Sequence, residues 1–478
     1  MATSGEHSEG RLLGPIMVIM VTALLLTLPL AAAIPSPDIE RPDRWFDDHI
    51  YHHHADLTTE LQQLASDHPN YVSMTSIGTS VRGRELWTMR ITDPSYPAEG
   101  KTRVYIDGEH HGNEYLGGEL CILLIHKLLE DTDDPVVQQI LRQSIVWITP
   151  MLNPDGNARD SRSNFNGIDL NRHYPFEFVP SGSHGEAPAV EPEVAANVAF
   201  MADKDLDLYI TMHTGIVRLI HSWGYTYDAP PDLAMYESLR EMSESYGVLY
   251  GQASTVLYIA EGTAKDYGYG ALGAASFTYE VDDEQTRQIS AREDIANKLS
   301  DELGLLIEML TVAPLLRAKL NAHGLTYSED PAGGMKVNVT LDNPTRSPAN
   351  NTTLIVEAYK DGSLVGNWST VVDVPAGNTT GVSLRLDLDE GDYLLRTRVT
   401  YPKLLQENAT SDEIVLGVHD YTVNSSFTGI SGGWSIGLII LLIALGAAFL
   451  YWAHRKGWWR PGWAYRRVMS LVRPTPEA

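Results

Sequence analysis

Cysteine is almost absent from this chain of 478 residues, which contains only Cys121. A single thiol excludes any intramolecular disulfide as a support for the fold. Cys121 lies in the apolar run Leu120–Leu124, which favours a buried packing role over a reactive one. Stability must therefore come from an apolar core, for which the 43% hydrophobic content is ample.

Basic residues are scarce, and most of the chain is acidic. The sequence holds 35 Lys and Arg against 62 Asp and Glu, for a net charge of −27. Residues 453–478 carry six basic side chains and one acidic one, so their +5 leaves −32 for the other 452 residues. Such an acidic body argues against nucleic acid or an anionic membrane as its ligand. An acidic surface that keeps the protein soluble is the simpler interpretation.

Long apolar segments occur at both ends. Residues 12–33 are uncharged and mostly apolar, so we predict that residues 1–33 form either a cleaved signal peptide or a retained signal anchor. Residues 434–453 predict a transmembrane helix, followed by a basic tail over residues 454–478. The positive-inside rule places that tail in the cytoplasm and the rest outside the cell. We therefore expect a single-pass protein of the cell membrane, with a second span if the N-terminal segment is retained.

The sequence between these ends divides in two. Residues 45–312 alternate helical runs with apolar strands, for example Gly117–Glu130 and Leu206–Met212. This alternation predicts an α/β domain with a mixed, mostly buried sheet and helices on both faces. Residues 325–424 instead contain short strands separated by turn signals such as Asp361-Gly362 and Asn378, which predicts a β-sandwich domain.

Glycosylation sequons are missing from residues 45–312 but frequent in the predicted sandwich. Their clustering fits a glycosylated stalk outside the cell, and it fits an Asn- and Thr-rich sandwich equally well. The sequons are Asn338, Asn350, Asn351, Asn367, Asn378, Asn408 and Asn424.

Four short segments carry residue types that suit one catalytic metal site. They are His111–Glu114, Asn153–Gly156 running on to Asp169–Arg172, His213, and Phe277–Glu280. Catalytic zinc usually takes three protein ligands, commonly two histidines and a carboxylate, and leaves a fourth position for water. His111 and Glu114 are three residues apart, so both can face one side where a loop opens into a helix. A third ligand from a distant segment fits a site assembled from several strand ends.

This constellation resembles the zinc carboxypeptidase family of the carboxypeptidase A type, from about Tyr51 to Val312. The segments His68–Val72 and Ile77–Arg84 match the opening of that domain. The resemblance implies one zinc ion per catalytic domain, held by His111, Glu114 and His213. The neighbouring His110 is the weaker candidate, because its partner three residues later is Asn113.

The resemblance also implies roles for the remaining site residues. Arg162 matches the arginine that polarises the scissile carbonyl, with Arg159 a less suitable substitute, and Glu280 matches the general base. Asn171 and Arg172 match the pair that binds the substrate's terminal carboxylate, and Tyr258 matches the mobile tyrosine that covers the substrate. These types suit the chemistry: zinc lowers the pKa of its water, a carboxylate outside the metal shell takes the proton, and a guanidinium stabilises the oxyanion.

Lys265 falls seven residues after Tyr258, where the family has the residue at the floor of its specificity pocket. An ammonium there predicts a preference for acidic C-terminal residues. The alternative is a solvated lysine near Asp266. The adjacent His52, His53 and His54 lie at a family position that does not bind metal, and a second metal site is the minor alternative there.

The sequence departs from the family in several places. Asn113 stands where the digestive branch has arginine, so the motif is closer to the regulatory branch. That branch carries a transthyretin-like sandwich, whereas the sandwich predicted here resembles an immunoglobulin-like or cell-adhesion module. The short stretch between the N-terminal apolar segment and the domain leaves no room for an inhibitory prodomain, so we predict no zymogen.

Together, these observations predict a zinc-dependent metallocarboxypeptidase that removes C-terminal amino acids from extracellular peptides or proteins. Zinc-activated water would be the nucleophile and Glu280 the general base. One alternative is a zinc hydrolase of cell-wall peptides or acyl-amino acids. The other is a surface adhesion module whose catalytic domain is dead.

Overall fold

The computed structural model describes residues 50–282, 295, 297–330, 334–389, 391–406 and 411–423. The predicted N-terminal segment 1–33, transmembrane helix 434–453 and basic tail 454–478 lie outside these residues, as do Asn408 and Asn424. Among the described residues, no helix has the length and apolar character needed to cross a membrane.

The described residues form an α/β region followed by a strand-rich region. The helices run α1 (His54–Asp67), α2 (Tyr115–Glu130), α3 (Pro135–Gln143), α4 (Pro154–Asn157), α5 (Pro192–Asp203), α6 (Leu233–Glu237), α7 (Arg240–Ser245), α8 (Ala253–Val256), α9 (Ala264–Gly270) and α10 (Ser300–Val312), with 3-10 turns at Leu170–Arg172 and Ala313–Leu315. The strands of the α/β region run β1 (Val72–Thr79), β2 (Glu85–Ile91), β3 (Thr102–Gly108), β4 (Ser144–Thr149), β5 (Leu208–His213), β6 (Val217–His221), β7 (Leu249–Gln252) and β8 (Ala275–Val281). Those of the strand-rich region run β9 (Asn321–Glu329), β10 (Met335–Asn343), β11 (Ala349–Lys360), β12 (Ser363–Val374), β13 (Asn378–Leu386), β14 (Gly391–Pro402) and β15 (Ser411–Val423).

The eight strands of the α/β region form one mixed sheet in the order β1-β2-β4-β3-β5-β8-β6-β7. Strands β4, β3, β5 and β8 run parallel in its centre, whereas β2 and β6 pair antiparallel with that core. Every residue of β4 and of β5 is buried, as expected for a sheet covered on both faces. This arrangement confirms the predicted α/β fold.

The two faces of the sheet are covered by different helices. Val104 and Ile106 of β3 pack into a large core that includes residues of α1, α2, α3 and α10. Tyr105, which points to the opposite face, packs into a smaller core with residues of α5 and α9. Alternation along a strand therefore places the two helical layers on opposite sides.

The parallel strands bring their carboxyl ends to one edge of the sheet. In the pairing register Gly108 of β3 faces Met212 of β5, and His213 of β5 faces Glu280 of β8. Helix α2 begins at Tyr115, soon after β3 ends. Residues far apart in sequence thus converge where α/β proteins usually bind ligands.

The strand-rich region consists of two antiparallel sheets, β13-β10-β9 and β12-β11-β14-β15. They share one core, and burial alternates along strands such as β10, as expected for a sheet with one covered face. Asn378, predicted as a turn, begins β13 instead.

Candidate metal centre and substrate pocket

The three predicted metal ligands lie together at the carboxyl edge of the central strands. His111 belongs to the loop between β3 and α2, Glu114 immediately precedes the first residue of α2, and His213 ends β5. Their ligand atoms all lie within 4.8 Å of one another, the one such group of His, Cys, Asp or Glu in the described part of the chain. The i, i+3 spacing and the strand end therefore do bring these side chains to one point.

The donor set of this group suits zinc. The Nδ1 atoms of His111 and His213 lie 3.0 Å apart, and each lies 2.8 Å from an oxygen of Glu114. Buried lone pairs this close repel one another unless a proton or a cation lies between them. Two imidazoles and one carboxylate are a common catalytic zinc set.

The outer nitrogens of both rings have partners that fix the ring orientation. His111 Nε2 lies 3.0 Å from Asp169 Oδ1, and His213 Nε2 lies 3.0 Å from the Asn171 amide nitrogen. Contacts of this kind hold metal-ligating imidazoles in place. The sequence analysis assigned no role to Asp169. Its position two residues before Asn171, in the same motif, was the sequence feature that could have indicated one.

Within this group, burial and the neighbouring charges shift the pKa values in opposite directions. Burial would raise the pKa of Glu114, but His111 and His213 hold it well below its usual value. Burial and the nearby His111 lower the pKa of His213. Burial would also lower the pKa of His111, but Glu114 and Asp169 raise it above its ordinary value. Glu114 therefore stays ionised and available as an anionic ligand.

Arg162 is the arginine that reaches this centre. Its guanidinium lies 2.9 Å from Asp169 Oδ2 and 3.3 Å from Glu114 Oε1, and 45% of the side chain remains exposed toward the cavity. Arg159 instead donates to the backbone oxygens of Asp155 and Asn164. The structure thus brings Arg162 to the predicted ligand Glu114 and to Asp169, and directs Arg159 to the backbone.

A cavity of about 240 Å³ opens beside the metal centre. Every predicted site residue lines it: His111, Glu114, Arg162, Asn171, Arg172, His213, Tyr258, Lys265 and Glu280. Arg172 donates to the Tyr258 hydroxyl across 3.1 Å, and Tyr258 is 56% exposed, which places that ring near the solvent. Asn171 is fixed by a 2.9 Å hydrogen bond that its Oδ1 accepts from the Ala264 N–H.

Glu280 lies in the cavity but outside the set of three ligands. It is the penultimate residue of β8, opposite His213. Burial and the charge of Glu114 raise the pKa of Glu280 to about 8, although His111, Arg162 and Arg172 act in the other direction. A divalent cation held by Glu114 would act in the same direction as these three residues and lower the pKa of Glu280.

Lys265 is buried in the wall of the cavity, with 2% of its surface exposed. It forms an ion pair with Asp266, whose Oδ2 also accepts the backbone N–H groups of Gly224 and Tyr225. Burial lowers the pKa of Lys265. A solvated surface lysine, the alternative raised by the sequence, is therefore wrong.

The other histidines highlighted by the sequence lie outside the metal group. His52 is hydrogen-bonded to Glu119 and Glu60, and His54 Nε2 lies 2.8 Å from the Glu85 carbonyl oxygen. His110 is buried, 2.7 Å from the Tyr174 hydroxyl. Within the described residues they do not form a second metal site.

Comparison with known proteins places this geometry in context. The family model for zinc carboxypeptidases matches residues 57–303, more than half of the chain. Carboxypeptidase D of Mus musculus is 29% identical over 262 residues, which cover 49% of this chain but 18% of that protein. Carboxypeptidase A6 of Homo sapiens is 26% identical over 298 residues, covering 55% of this chain and 68% of the relative. A zinc carboxypeptidase of Saccharothrix mutabilis subsp. capreolus is 26% identical, and the match covers 62% of it.

Solved structures resemble the same part of the chain. Carboxypeptidase A of Helicoverpa armigera superposes with a TM-score of 0.50 at 22% identity, over 55% of this chain and 74% of that one. Thrombin activatable fibrinolysis inhibitor gives a TM-score of 0.51 at 21% identity, over 58% of this chain and 78% of that one. At these identities the likeness establishes a shared fold.

Proposed function

The chain belongs to the zinc carboxypeptidase family, and from that premise we propose that it removes C-terminal amino acids from peptides or proteins outside the cell. One observation carries the proposal: a single cavity contains the metal-binding group, the buried Glu280 and the pair Asn171 and Arg172. The guanidinium of Arg172 and the amide of Asn171 can both donate hydrogen bonds to a terminal carboxylate. That carboxylate is the group that distinguishes a chain end from an internal peptide bond.

The side chains divide the reaction between them. His111, Glu114 and His213 would hold the zinc ion, which when bound would supply a Lewis acid for water and for the substrate carbonyl. Arg172 and Asn171 bind the terminal carboxylate, which fixes the last peptide bond near the metal centre. Arg162 stabilises the negative charge that develops on the carbonyl oxygen. Glu280 accepts the proton of the attacking water and passes it to the leaving amine.

Paired peptides that differ only at the C-terminus test this function. The purified protein should contain zinc and release free amino acids from a peptide with a free carboxylate, while the amidated peptide resists. Glu280→Gln should retain zinc and lower kcat by about 10²–10⁴-fold, the usual contribution of a general acid–base. Equal cleavage of the amidated peptide, or release of internal fragments, would contradict exopeptidase action.

We further propose that Lys265 confers a preference for C-terminal Glu or Asp. Its buried ammonium lines the cavity and, among the described residues, pairs with the Asp266 carboxylate alone, so N–H groups remain for a substrate carboxylate. The ratio of kcat/KM for peptides ending in Glu and in Phe should exceed one and fall about 10–100-fold in Lys265→Met. Lys204→Met is the matched control, because Lys204 does not line the cavity and its carbonyl oxygen accepts from Arg103 near the start of β3. A preference for Phe in both proteins would rule out this role.

The site of action is proposed from the sequence. Residues 434–453 would anchor the protein in the membrane, with the α/β and strand-rich regions outside and residues 454–478 in the cytoplasm. In the strand-rich region, the sequon residues Asn351, Asn367 and Asn378 are exposed, as glycan attachment requires. Protease added to intact cells should remove the enzyme's activity, and glycosidase treatment should increase its electrophoretic mobility.

A further inference from the structure

One buried carboxylate joins the strand-rich region to the helix behind the substrate pocket. Asp232, which directly precedes α6, is 2% exposed. Its Oδ1 accepts the backbone N–H of Leu405 at 2.9 Å, and its Oδ2 accepts the Tyr269 hydroxyl at 2.7 Å. Leu405 belongs to the loop between β14 and β15, whereas Tyr269 lies in α9. Asp232 therefore connects two elements that are far apart in the sequence.

Tyr269 lies directly behind the pocket wall. It is four residues after Lys265 on α9, so both side chains follow the same side of that helix. Its ring packs on Trp223 at a centroid distance of 4.7 Å. Trp223 precedes Gly224, which lines the cavity and donates its N–H to Asp266. Movement of Tyr269 would thus be transmitted to both Lys265 and Gly224.

The loop that binds Asp232 is itself fixed in the α/β region. Leu404 is fully buried and packs into the large core of the α/β region, although it lies in the loop between two strands of the strand-rich region. The carbonyl oxygen of the neighbouring Lys403 accepts the N–H of Ala318, in the connection between the two regions, at 2.8 Å. The segment Leu404–Gln406, which we call the docking loop, is thus an inserted part of the α/β core.

We propose that the docking loop positions the floor of the specificity pocket through Asp232 and Tyr269, so that the strand-rich region takes part in substrate selection. The inference rests on the proposed carboxypeptidase function and identifies Asp232, Tyr269 and Leu404 as positioning residues. Helix α9 has seven residues, too few to hold its place without tertiary contacts. Small displacements of substrate-binding groups are costly, because the pocket must match its ligand closely.

Two variants loosen this connection from opposite sides. Tyr269→Phe removes only the hydroxyl that donates to Asp232, and Leu404→Ala removes most of the side chain that anchors the docking loop in the α/β core. Each should raise KM about three- to tenfold for peptides with the preferred C-terminal residue, with kcat within about twofold. Each should also reduce the ratio of kcat/KM between Glu-ending and Phe-ending peptides. Lys403→Met is the control, since it removes contacts with Asp205 and Asp412 and leaves Asp232 untouched.

Hydrogen exchange provides a readout that does not depend on catalysis. Amides of the peptide covering residues 263–271 should exchange faster in Tyr269→Phe and Leu404→Ala than in the wild type or Lys403→Met. A lower melting temperature with unchanged KM, C-terminal preference and α9 exchange would overturn the inference. If the wild type releases no amino acids but α9 exchange still responds to Leu404→Ala, the carboxypeptidase function fails while the coupling stands. If activity is present and exchange does not respond, the coupling alone fails.

Discussion

At the scale of single residues, the surroundings shift the pKa values of two glutamates in opposite directions. Glu114 and Glu280 line the same cavity, yet imidazoles hold the pKa of Glu114 below its usual value, whereas burial raises that of Glu280 to about 8. The first is suited to bind a cation and the second to take up a proton. Pairs of carboxylates whose pKa values are separated in this way are typical of acid–base catalysis.

A second group of ionisable residues serves stability. Glu60 lies between two imidazoles, with its oxygens 2.8 Å from His52 Nε2 and 2.6 Å from His126 Nε2, and His52 also contacts Glu119. Burial would raise the pKa of Glu60, but hydrogen bonds to His126 and His52 lower it to about 2. Burial would lower the pKa of His52, but Glu119 and Glu60 raise it to about 10. The group ties the start of the described chain to α1 and α2.

These shifts predict a pH window for the stability of the group. The depressed pKa of Glu60 means that its contribution is present above its ordinary pKa of 4.5 and is lost as the pH falls toward 2. The raised pKa of His52 means that its contribution is present below 6.5 and is lost as the pH rises through 10. Glu60→Gln should therefore lower the free energy of unfolding by about 1–3 kcal/mol at neutral pH, and by less under acid conditions.

Urea unfolding of chelator-treated protein at neutral and acid pH measures this difference. The exposed Glu99→Gln variant is the control and should be indistinguishable from the wild type. A loss in Glu60→Gln that is equally large in acid would show that packing, and not charge, is responsible.

At the scale of elements, the proposed metal centre depends on how closely a loop approaches a helix. A Cβ at Gly112, between the proposed ligands His111 and Glu114, would lie 2.2 Å from Gly156 C and from Asn157 N in α4. Backbone atoms cannot rotate away as a side chain can, so the loop itself would have to move. The Gly in His111–Glu114 is thus required by this packing.

We expect Gly112→Ala to weaken zinc binding by about 10–100-fold, the range seen when support around a metal ligand is disturbed. Competition with a chromogenic chelator gives the affinity directly. Gly182→Ala is the matched control, because nothing lies within 4 Å of a Cβ at that position. Unchanged zinc affinity in Gly112→Ala would show that the loop can shift without moving His111.

At the scale of the whole molecule, the two regions are joined by buried polar contacts. Arg317, in the connection after α10, is 1% exposed and donates to the Leu206 carbonyl at 2.6 Å and to Asp207 at 3.0 Å. Asp207 precedes β5, the strand that ends in His213, and also accepts the Arg103 N–H. The connection to the strand-rich region thus supports a central strand of the sheet.

Arg317→Met should destabilise the protein by about 3–5 kcal/mol, because it leaves a buried carboxylate without its cation. Urea unfolding at neutral pH measures the loss, and the double variant Arg317→Met/Asp207→Asn should recover part of it. Arg385→Met, which removes an exposed ion pair with Asp387, should change stability by no more than about 0.5 kcal/mol. Similar small losses in both variants would contradict a structural role for Arg317.

The sequence by itself determined the local features of this protein. Apolar periodicity predicted the mixed α/β fold, and the spacing of His111 and Glu114 predicted two ligands on one side of a loop, because both signals depend on neighbours along the chain. The tertiary structure decided which residues far apart in the sequence are in contact. It placed Asp169 behind His111, buried Lys265 against Asp266, and inserted Leu404 into a core formed by residues far away in sequence. Local patterns carry no information about which distant strands and loops become neighbours, so these contacts followed only from the folded chain.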